Sequence, residues 1–281
     1  MPGMRRTNLT VALTLSLLAC ERKAPPLPTV ERTPTSTQKA AATAPTAIAK
    51  PSAANVAPPT PTVTDTFPTS KGPVTVTPIR HATVVLGFDG KTIVLDPWSQ
   101  APAGWLPRAD LVLITDIHQD HFDRDGISAV RKDGTVFVAP EAVQKDLPEA
   151  KVLKNGGKTE HFGIQIRAVA MYNTKRGPEP GKLFHDKGRG NGYVLTLGGK
   201  RIYFSGDTES VPEMKALKSI DIAFVTMNLP YTMPPEEAAE GVKAFKPKIV
   251  YPYHYRNSDL NVFANALKDE KGIEVRLRNW Y

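Results

Sequence analysis

Short blocks of apolar and β-branched residues, bounded by turn signals, recur from residue 74 to the end of the chain. Val74 to Val76 and Thr83 to Phe88 read as strands, Asp89-Gly90 as a hairpin turn, and Lys91 to Leu95 as the returning strand. Asp110 to Thr115, Thr135 to Ala139 and Ile164 to Met171 continue the series. Tyr193 to Leu197 and Arg201 to Ser205 pair around Gly198-Gly199, and Ile220 to Met227 reads as a buried strand. Ile249 to Tyr253 and Ile273 to Leu277 complete the strands. The pattern shifts to helix over Ile127 to Lys132, Val211 to Leu217, Pro235 to Phe245 and Val262 to Leu267. Strand-rich halves with interspersed helices predict an α/β sandwich, sheets inside and helices outside. No internal repeat is visible in the residues.

Up to residue 71 the pattern is different. Met4-Arg5-Arg6 is a basic start, and Leu9 to Ala19 is an apolar stretch with the layout of a secretory signal, too short to span a bilayer comfortably. It ends in Leu17-Leu18-Ala19-Cys20, which resembles a bacterial lipobox, so residues 1–19 are expected to be a lipoprotein signal and Cys20 to carry lipid. Arg5-Arg6 also raises twin-arginine export, although the residues that follow match that signal poorly. The Pro-, Ala- and Thr-rich residues 20–71 cannot bury enough surface to offset their ordering entropy, and read as a disordered tether. Residues 72–281 are then one folded domain. The expected location is the bacterial cell envelope, with the domain periplasmic or surface-facing and held to a membrane through its anchor.

Charge and cysteine content narrow the chemistry. The net charge of +8 is spread along the chain and forms no compact basic patch with interleaved aromatics, so no nucleic-acid partner is expected. Cys20 is the only cysteine, which excludes an internal disulfide and a thiolate metal cluster. Any metal site must be built from histidines and carboxylates. Asp116-Ile117-His118-Gln119-Asp120-His121 supplies both, directly after an apolar strand. Alternate residues of an extended segment face one side, so Asp116, His118 and Asp120 can converge, with His121 turning toward a neighbouring position. Phe204-Ser205-Gly206-Asp207 and Tyr251-Pro252-Tyr253-His254 place an Asp and a His beyond two further strands. Such a donor set suits zinc, manganese or iron, one ion or two.

These motifs resemble the metallo-β-lactamase-fold hydrolases, particularly the branch of N-acyl-phosphatidylethanolamine phospholipase D and ascorbate-6-phosphate lactonase-like proteins. The likeness covers residues 74 to 281 and includes Leu95-Asp96-Pro97, the run from Thr115 to Asp123, Gly206-Asp207-Thr208 and Pro252-Tyr253-His254. It implies a four-layer αβ/βα sandwich with a dinuclear metal site at the sheet edges. Asp120, His121 and His254 would hold one ion, Asp207 would bridge, and His118 would hold the other. The sequence departs from the family's His-x-His-x-Asp-His motif at Asp116. It also lacks the histidine expected after Ile164 to Met171, where Tyr172-Asn173 stands. His161 precedes that strand, and His185 lies in a Gly-, Lys- and Arg-rich loop from which it can swing in.

A metal ion at this site would acidify water near neutral pH and polarise the bond under attack. Asp120 and His81 are the candidate catalytic residues, Asp120 orienting water as well as ligating. Tyr172, Asn173 and His185 are candidates for weak ligation or pocket lining. Tyr231 and Tyr253, with Tyr255 nearby, are candidates for lining the pocket. Arg176 and Arg189, flanked by Lys175 and Lys187, are candidates for gripping an anionic group. The expected activity is hydrolysis of a phosphodiester, lactone or related ester in a small or lipid-like substrate. The alternative is a degenerate member that binds metal or ligand without turnover, and β-lactam hydrolysis is a poor third choice. For the anchor, mass spectrometry of the full chain is expected to show a lipid-sized increase at Cys20 with partition into detergent, both abolished by Cys20→Ser. An unmodified Cys20 in the mature protein would rule the anchor out.

Overall fold

The computed structural model describes residues 63–281, so the expected signal, the Cys20 lipid site and most of the expected tether lie outside the described residues. The apolar blocks become fourteen strands in two seven-stranded sheets, each following chain order. The first sheet holds β1 (Asp65–Phe67), β2 (Val74–Arg80), β3 (Thr83–Phe88), β4 (Lys91–Leu95), β5 (Leu111–Leu113), β6 (Val136–Ala139) and β7 (Lys151–Val152). The second holds β8 (Lys158–His161), β9 (Ile164–Met171), β10 (Gly190–Leu197), β11 (Lys200–Phe204), β12 (Ile222–Thr226), β13 (Ile249–Tyr253) and β14 (Glu274–Val275). Within each sheet the first four strands pair antiparallel and the last four pair parallel. The two halves therefore share one topology, a duplication with no counterpart in the residues. Topology needs only matching apolar patterns and turn positions, not matching side chains.

The sheets pack face to face. Leu86, Ile93 and Leu111 of the first meet Ile166, Leu195 and Phe224 of the second in one continuous core. Adjacent residues on the same strands point outward into two further cores under the helices. Val94, Val112 and Phe137 pack beneath α1 (Arg124–Val130) and α2 (Glu141–Gln144). Tyr203, Ala223 and Val250 pack beneath α3 (Pro212–Lys215), α4 (Pro235–Phe245) and α5 (Leu260–Leu267). Strands covered on both faces are apolar along most of their length, which is why β5 and all of β12 up to Thr226 read as apolar runs. Each fully buried Leu or Ile there contributes roughly 1.5–3 kcal/mol relative to exposure. This is the expected four-layer sandwich.

Several boundaries differ from expectation for local reasons. The helix expected at Ile127 starts at Arg124, because Asp123 caps it by accepting from the Asp125 N–H (3.1 Å). Gly126 in that helix is required by packing, since a Cβ there would lie 2.1 Å from the Pro97 carbonyl oxygen. Strand β10 begins at Gly190, three residues before Tyr193, because Gly190 still pairs with Met171 of β9. The short β7, β8 and α2 carry too few apolar residues to stand out in the sequence.

The domain also begins earlier than Gly72. Phe67 is buried, and β1 pairs with β2 in the register Asp65 opposite Val76. The Asp65 carboxylate accepts from Tyr251 Oη (2.6 Å) and Arg278 Nη2 (2.8 Å), and lies 3.1 Å from Arg276 Nη1. Burial acts to raise its pKa, yet these donors hold it below the usual carboxylate value. Replacing Asp65 with Ala is expected to cost about 1–3 kcal/mol in denaturant unfolding, since it strands partly buried donors. A depressed folded pKa gives stability that is present above the unfolded pKa, about 3.9, and lost as pH falls through the folded value. The difference between wild type and Asp65→Ala should therefore shrink below about pH 4, and a pH-independent difference would show that the ion pairs contribute nothing.

Candidate metal centre

The chain delivers its polar residues where strands end. His118, Asp120 and His121 follow β5, Asp207 follows β11, and His254 follows β13. These strands run parallel to their next neighbours, so their C-terminal ends collect ligands at one edge of the sandwich. His81, in the turn between β2 and β3, and His185, in the loop between β9 and β10, complete the cluster. Five of the six histidines in the chain converge here. His81 and His254 adopt positive φ angles of 56° and 47°. Backbone hydrogen bonds from His254 N to His81 O and from His81 N to Trp280 O (both 3.1 Å) hold these turns.

The donor atoms fall into two sets that share Asp207. In one set, His254 Nε2 lies 3.3 Å from Asp120 Oδ2 and 3.7 Å from Asp207 Oδ1, and His121 Nε2 lies 3.4 Å from Asp207 Oδ2. In the other, His185 Nε2 lies 3.4 Å from Asp207 Oδ2 and 3.8 Å from Asp116 Oδ2, which lies 2.9 Å from His118 Nδ1. Tetrahedral zinc with bonds of about 2.0–2.1 Å spaces its ligand atoms about 3.3 Å apart, so most of these separations fit edges around an ion. A second observation agrees. His121 Nε2, His185 Nε2 and Asp207 Oδ1 are buried without a hydrogen-bond partner, although buried polar groups are normally satisfied. The residues fit a divalent ion in the first set; in the second, His185 Nε2 and Asp207 offer atoms for an ion, while both Asp116 oxygens are paired with Arg189.

The surroundings prepare these atoms. Asp96 Oδ2 lies 2.9 Å from His121 Nδ1 and accepts from Thr115 Oγ1 (2.7 Å), while Asp96 Oδ1 accepts from the Thr115 N–H (2.8 Å). With Nδ1 engaged by Asp96, Nε2 is the nitrogen that faces the cluster. Burial acts to raise Asp207, yet the imidazoles of His254 and His121 hold its carboxyl well below the usual range. Burial likewise opposes the ionisation of Asp116, and the His118 hydrogen bond and Arg189 charge bring it down to about 2. His81 is pushed down to about 4 by burial and by the charge of His254.

The other expected site residues fall into clear positions, some of them corrections. His81 does not face the pocket. It sits behind Asp120, with Nε2 2.8 Å from Asp120 Oδ2 and Nδ1 2.7 Å from Tyr281 Oη, and acts as a positioning residue. Arg189 is not available to substrate, because its guanidinium donates to both Asp116 oxygens (3.0 and 2.7 Å). Arg176 is likewise committed, donating to Glu237 (2.8 Å) and lying 3.1 Å from Glu209. Tyr253 is core, its hydroxyl accepting from the Gly206 N–H (2.9 Å). Tyr172 points away to donate to Glu213 (3.0 Å), and Asn173 is a buried partner of His185. His161, at the end of β8, lies 3.3 Å from Thr159 Oγ1 and outside the cluster.

Above the donor atoms opens a cavity of about 540 Å³. Trp98, Phe184 and Tyr231 form aromatic walls, with Phe184 and Tyr231 in edge contact at 5.0 Å between ring centres. Arg256 stands at its side, half exposed, with Nη2 4.0 Å from Asp120 Oδ2. In the sequence Asp96 stood out only within Leu95-Asp96-Pro97, without a role, and Trp98, Phe184 and Arg256 did not stand out. Arg256 lies two residues beyond His254, and Asp96 ends an apolar strand as Asp207 nearly does. Those placements were the only signals.

Residues 75–254 match a family model described as a beta-lactamase superfamily domain. The chain is 32% identical over 212 residues to a UPF0173 metal-dependent hydrolase of Thermus thermophilus, across 70% of this chain and 92% of the relative. Among solved structures it is similar to a protein of Parabacteroides distasonis described as a metal-dependent hydrolase. That match has 44% identity and a TM-score of 0.73, and covers 77% of this chain and 98% of the other. A metallo hydrolase of the archaeon Ignicoccus hospitalis matches at 25% identity and a TM-score of 0.61, over 73% and 94%. None of these three is named for the phospholipase D or ascorbate lactonase branch.

Stripping metal with a chelator is expected to lower the melting temperature, and added zinc or manganese to restore it. Ligand at about a thousandfold excess over Kd stabilises by about 4 kcal/mol. Asp96→Ala should weaken binding of an ion to the His121 set about 10- to 100-fold by calorimetric titration. A melting temperature indifferent to chelator and metal would sink the site assignment.

Proposed function

Since the chain belongs to the beta-lactamase superfamily and is a metal-dependent hydrolase, we propose that its substrate is a small ester, a phosphodiester or a lactone carrying an anionic group. The observation that carries this reading is Asp207 lying within 3.4–3.7 Å of His121, His254 and His185 at the floor of an aromatic-walled cavity with Arg256 beside it. Divalent ions, with zinc the first choice and manganese or iron alternatives, supply a Lewis acid and acidified water when bound.

The residues of the chain do the rest. Asp207 is positioned to serve both donor sets, which fixes their separation. Asp120 sits between His254 and His81, so its carboxylate is aimed at the cavity floor and has little freedom to rotate. Trp98, Phe184 and Tyr231 would take up an apolar portion of the substrate and exclude water from the reacting bond. Arg256 would pair with the anionic group, a role for which the committed Arg176 and Arg189 are unsuited. The proposed lipid on Cys20 would hold this cavity near a membrane, which favours lipid-like substrates with a polar, hydrolysable head.

Purified, metal-loaded protein should turn over at least one of three probes: an aryl phosphodiester, a neutral aryl ester or an aliphatic lactone. Asp120→Asn is expected to lower kcat by at least about 100-fold. Arg256→Gln is expected to raise KM about tenfold for an anionic probe, with kcat nearly unchanged, because uniform binding is lost. No effect on a neutral probe should accompany it. Two bound ions without turnover of any probe would identify a binding protein instead.

A further inference from the structure

Asn173 lies two residues beyond the end of strand β9, in the Tyr172-Asn173 pair where the sequence lacks an expected histidine. Its side chain is fully buried, and both ends of the amide are hydrogen-bonded. Nδ2 donates to Glu209 Oε1 (3.2 Å) and to the Tyr231 carbonyl (2.9 Å). Both partners accept only, so the amide orientation is fixed, and Oδ1 must be the atom that faces His185. That oxygen accepts from the His185 N–H (2.9 Å) and lies 2.6 Å from His185 Nδ1. An amide oxygen cannot donate, so the proton of the imidazole sits on Nδ1. In the neutral ring Nε2 then carries the lone pair, buried, unpartnered and 3.4 Å from Asp207 Oδ2.

The far end of the same loop meets the other departure in the sequence. Arg189 donates to both oxygens of Asp116, and its Nη1 donates to the Phe184 carbonyl (2.8 Å), next to His185. A carboxylate as buried as Asp116 requires a countercharge, and this guanidinium supplies one whether or not an ion is bound. Glu209 secures the start of the loop, accepting from the backbone N–H groups of Thr174 (3.0 Å) and Arg176 (2.9 Å). One loop therefore answers both substitutions, the missing histidine at one end and the carboxylate at position 116 at the other.

We propose that residues 173–189 form a ligand-supplying loop in which His185 ligates the ion on the Asp116 side of Asp207, and Asn173, backed by Glu209, is the positioning residue that sets its tautomer. The inference rests on the reading of the site as a two-ion centre. It deepens that reading by naming the loop that carries His185 and the side chain that aligns it. Loading of this ion is thereby tied to the docking of a segment that also carries the Phe184 cavity wall.

The test is calorimetric titration of zinc into metal-free wild type and the variants His185→Ala, Asn173→Ala and Asn173→Asp, with ion content measured in parallel. Wild type is expected to bind two ions, and His185→Ala only one tightly. Asn173→Ala should weaken that same ion about 10- to 100-fold. Asn173→Asp, which keeps an acceptor toward His185 but sets a carboxylate oxygen against Glu209 and the Tyr231 carbonyl, should weaken the same ion as well. The ion at Asp120, His121 and His254 should bind unchanged throughout, which also reports that the variants fold. Imidazole ¹⁵N shifts of His185 in metal-free wild type should show the Nδ1–H tautomer, a measurement that needs no variant. Two ions bound with unchanged affinity by His185→Ala, or an Nε2–H tautomer, would overturn the proposal while leaving the two-ion centre intact. Wild type that binds no ion would overturn both.

Discussion

A carboxylate buried away from water must be paired with positive charge or hold a metal, and Asp207 imposes that condition on the whole molecule. It lies between the imidazoles of His121, His185 and His254, which arrive from three separate segments. Each of those segments is then constrained in turn. Asp96 and Thr115 hold His121, Asn173 holds His185, and the positive-φ turn after β13 presents His254. The edge where the two sheets meet is thus a lattice of charges whose geometry the surrounding sandwich must keep rigid.

The sandwich is suited to that demand because each half is built alike. An antiparallel meander leads into parallel strands covered by helices, and this happens twice. Parallel strands leave their C-terminal ends at one edge, so the loops after β5, β11 and β13 all open toward the same space. The meanders contribute the remaining pieces: His81 from the β2–β3 turn, and the 173–189 loop between β9 and β10. Fold and centre are therefore separable. The apolar periodicity places the strand ends, and the short polar runs that follow decide what is held there.

Much of this was legible in the residues. Strands such as Ile164 to Met171 coincide with their apolar blocks because burial on one or both faces leaves a periodic trace. The first ligand run stood out because four metal-capable groups within six positions are dense. Asp207 and His254 gained weight from the strands preceding them. Other features left no such trace. Strand β1 is three residues long and is stabilised by Arg276 and Arg278 from the other end of the domain. Arg176 and Arg189 looked free because a sequence shows charges without their partners. Tyr253 looked like a pocket residue because alternation does not say which face of a strand looks into the core.

The chain by itself determined the layered α/β architecture, the boundaries of its longer strands to within a few residues, and a centre made of histidine and aspartate without thiolate. Those properties depend on local periodicity and on residue type. Only the tertiary structure decided which groups are ligands and which are their supports. Asp116, the residue at which the sequence breaks the family motif, is matched by Arg189 from 73 positions away. The histidine missing after β9, where Tyr172-Asn173 stands, is matched by His185, aligned by Asn173. Pairings of that kind arise from two loops meeting in space, and no spacing along the chain encodes them.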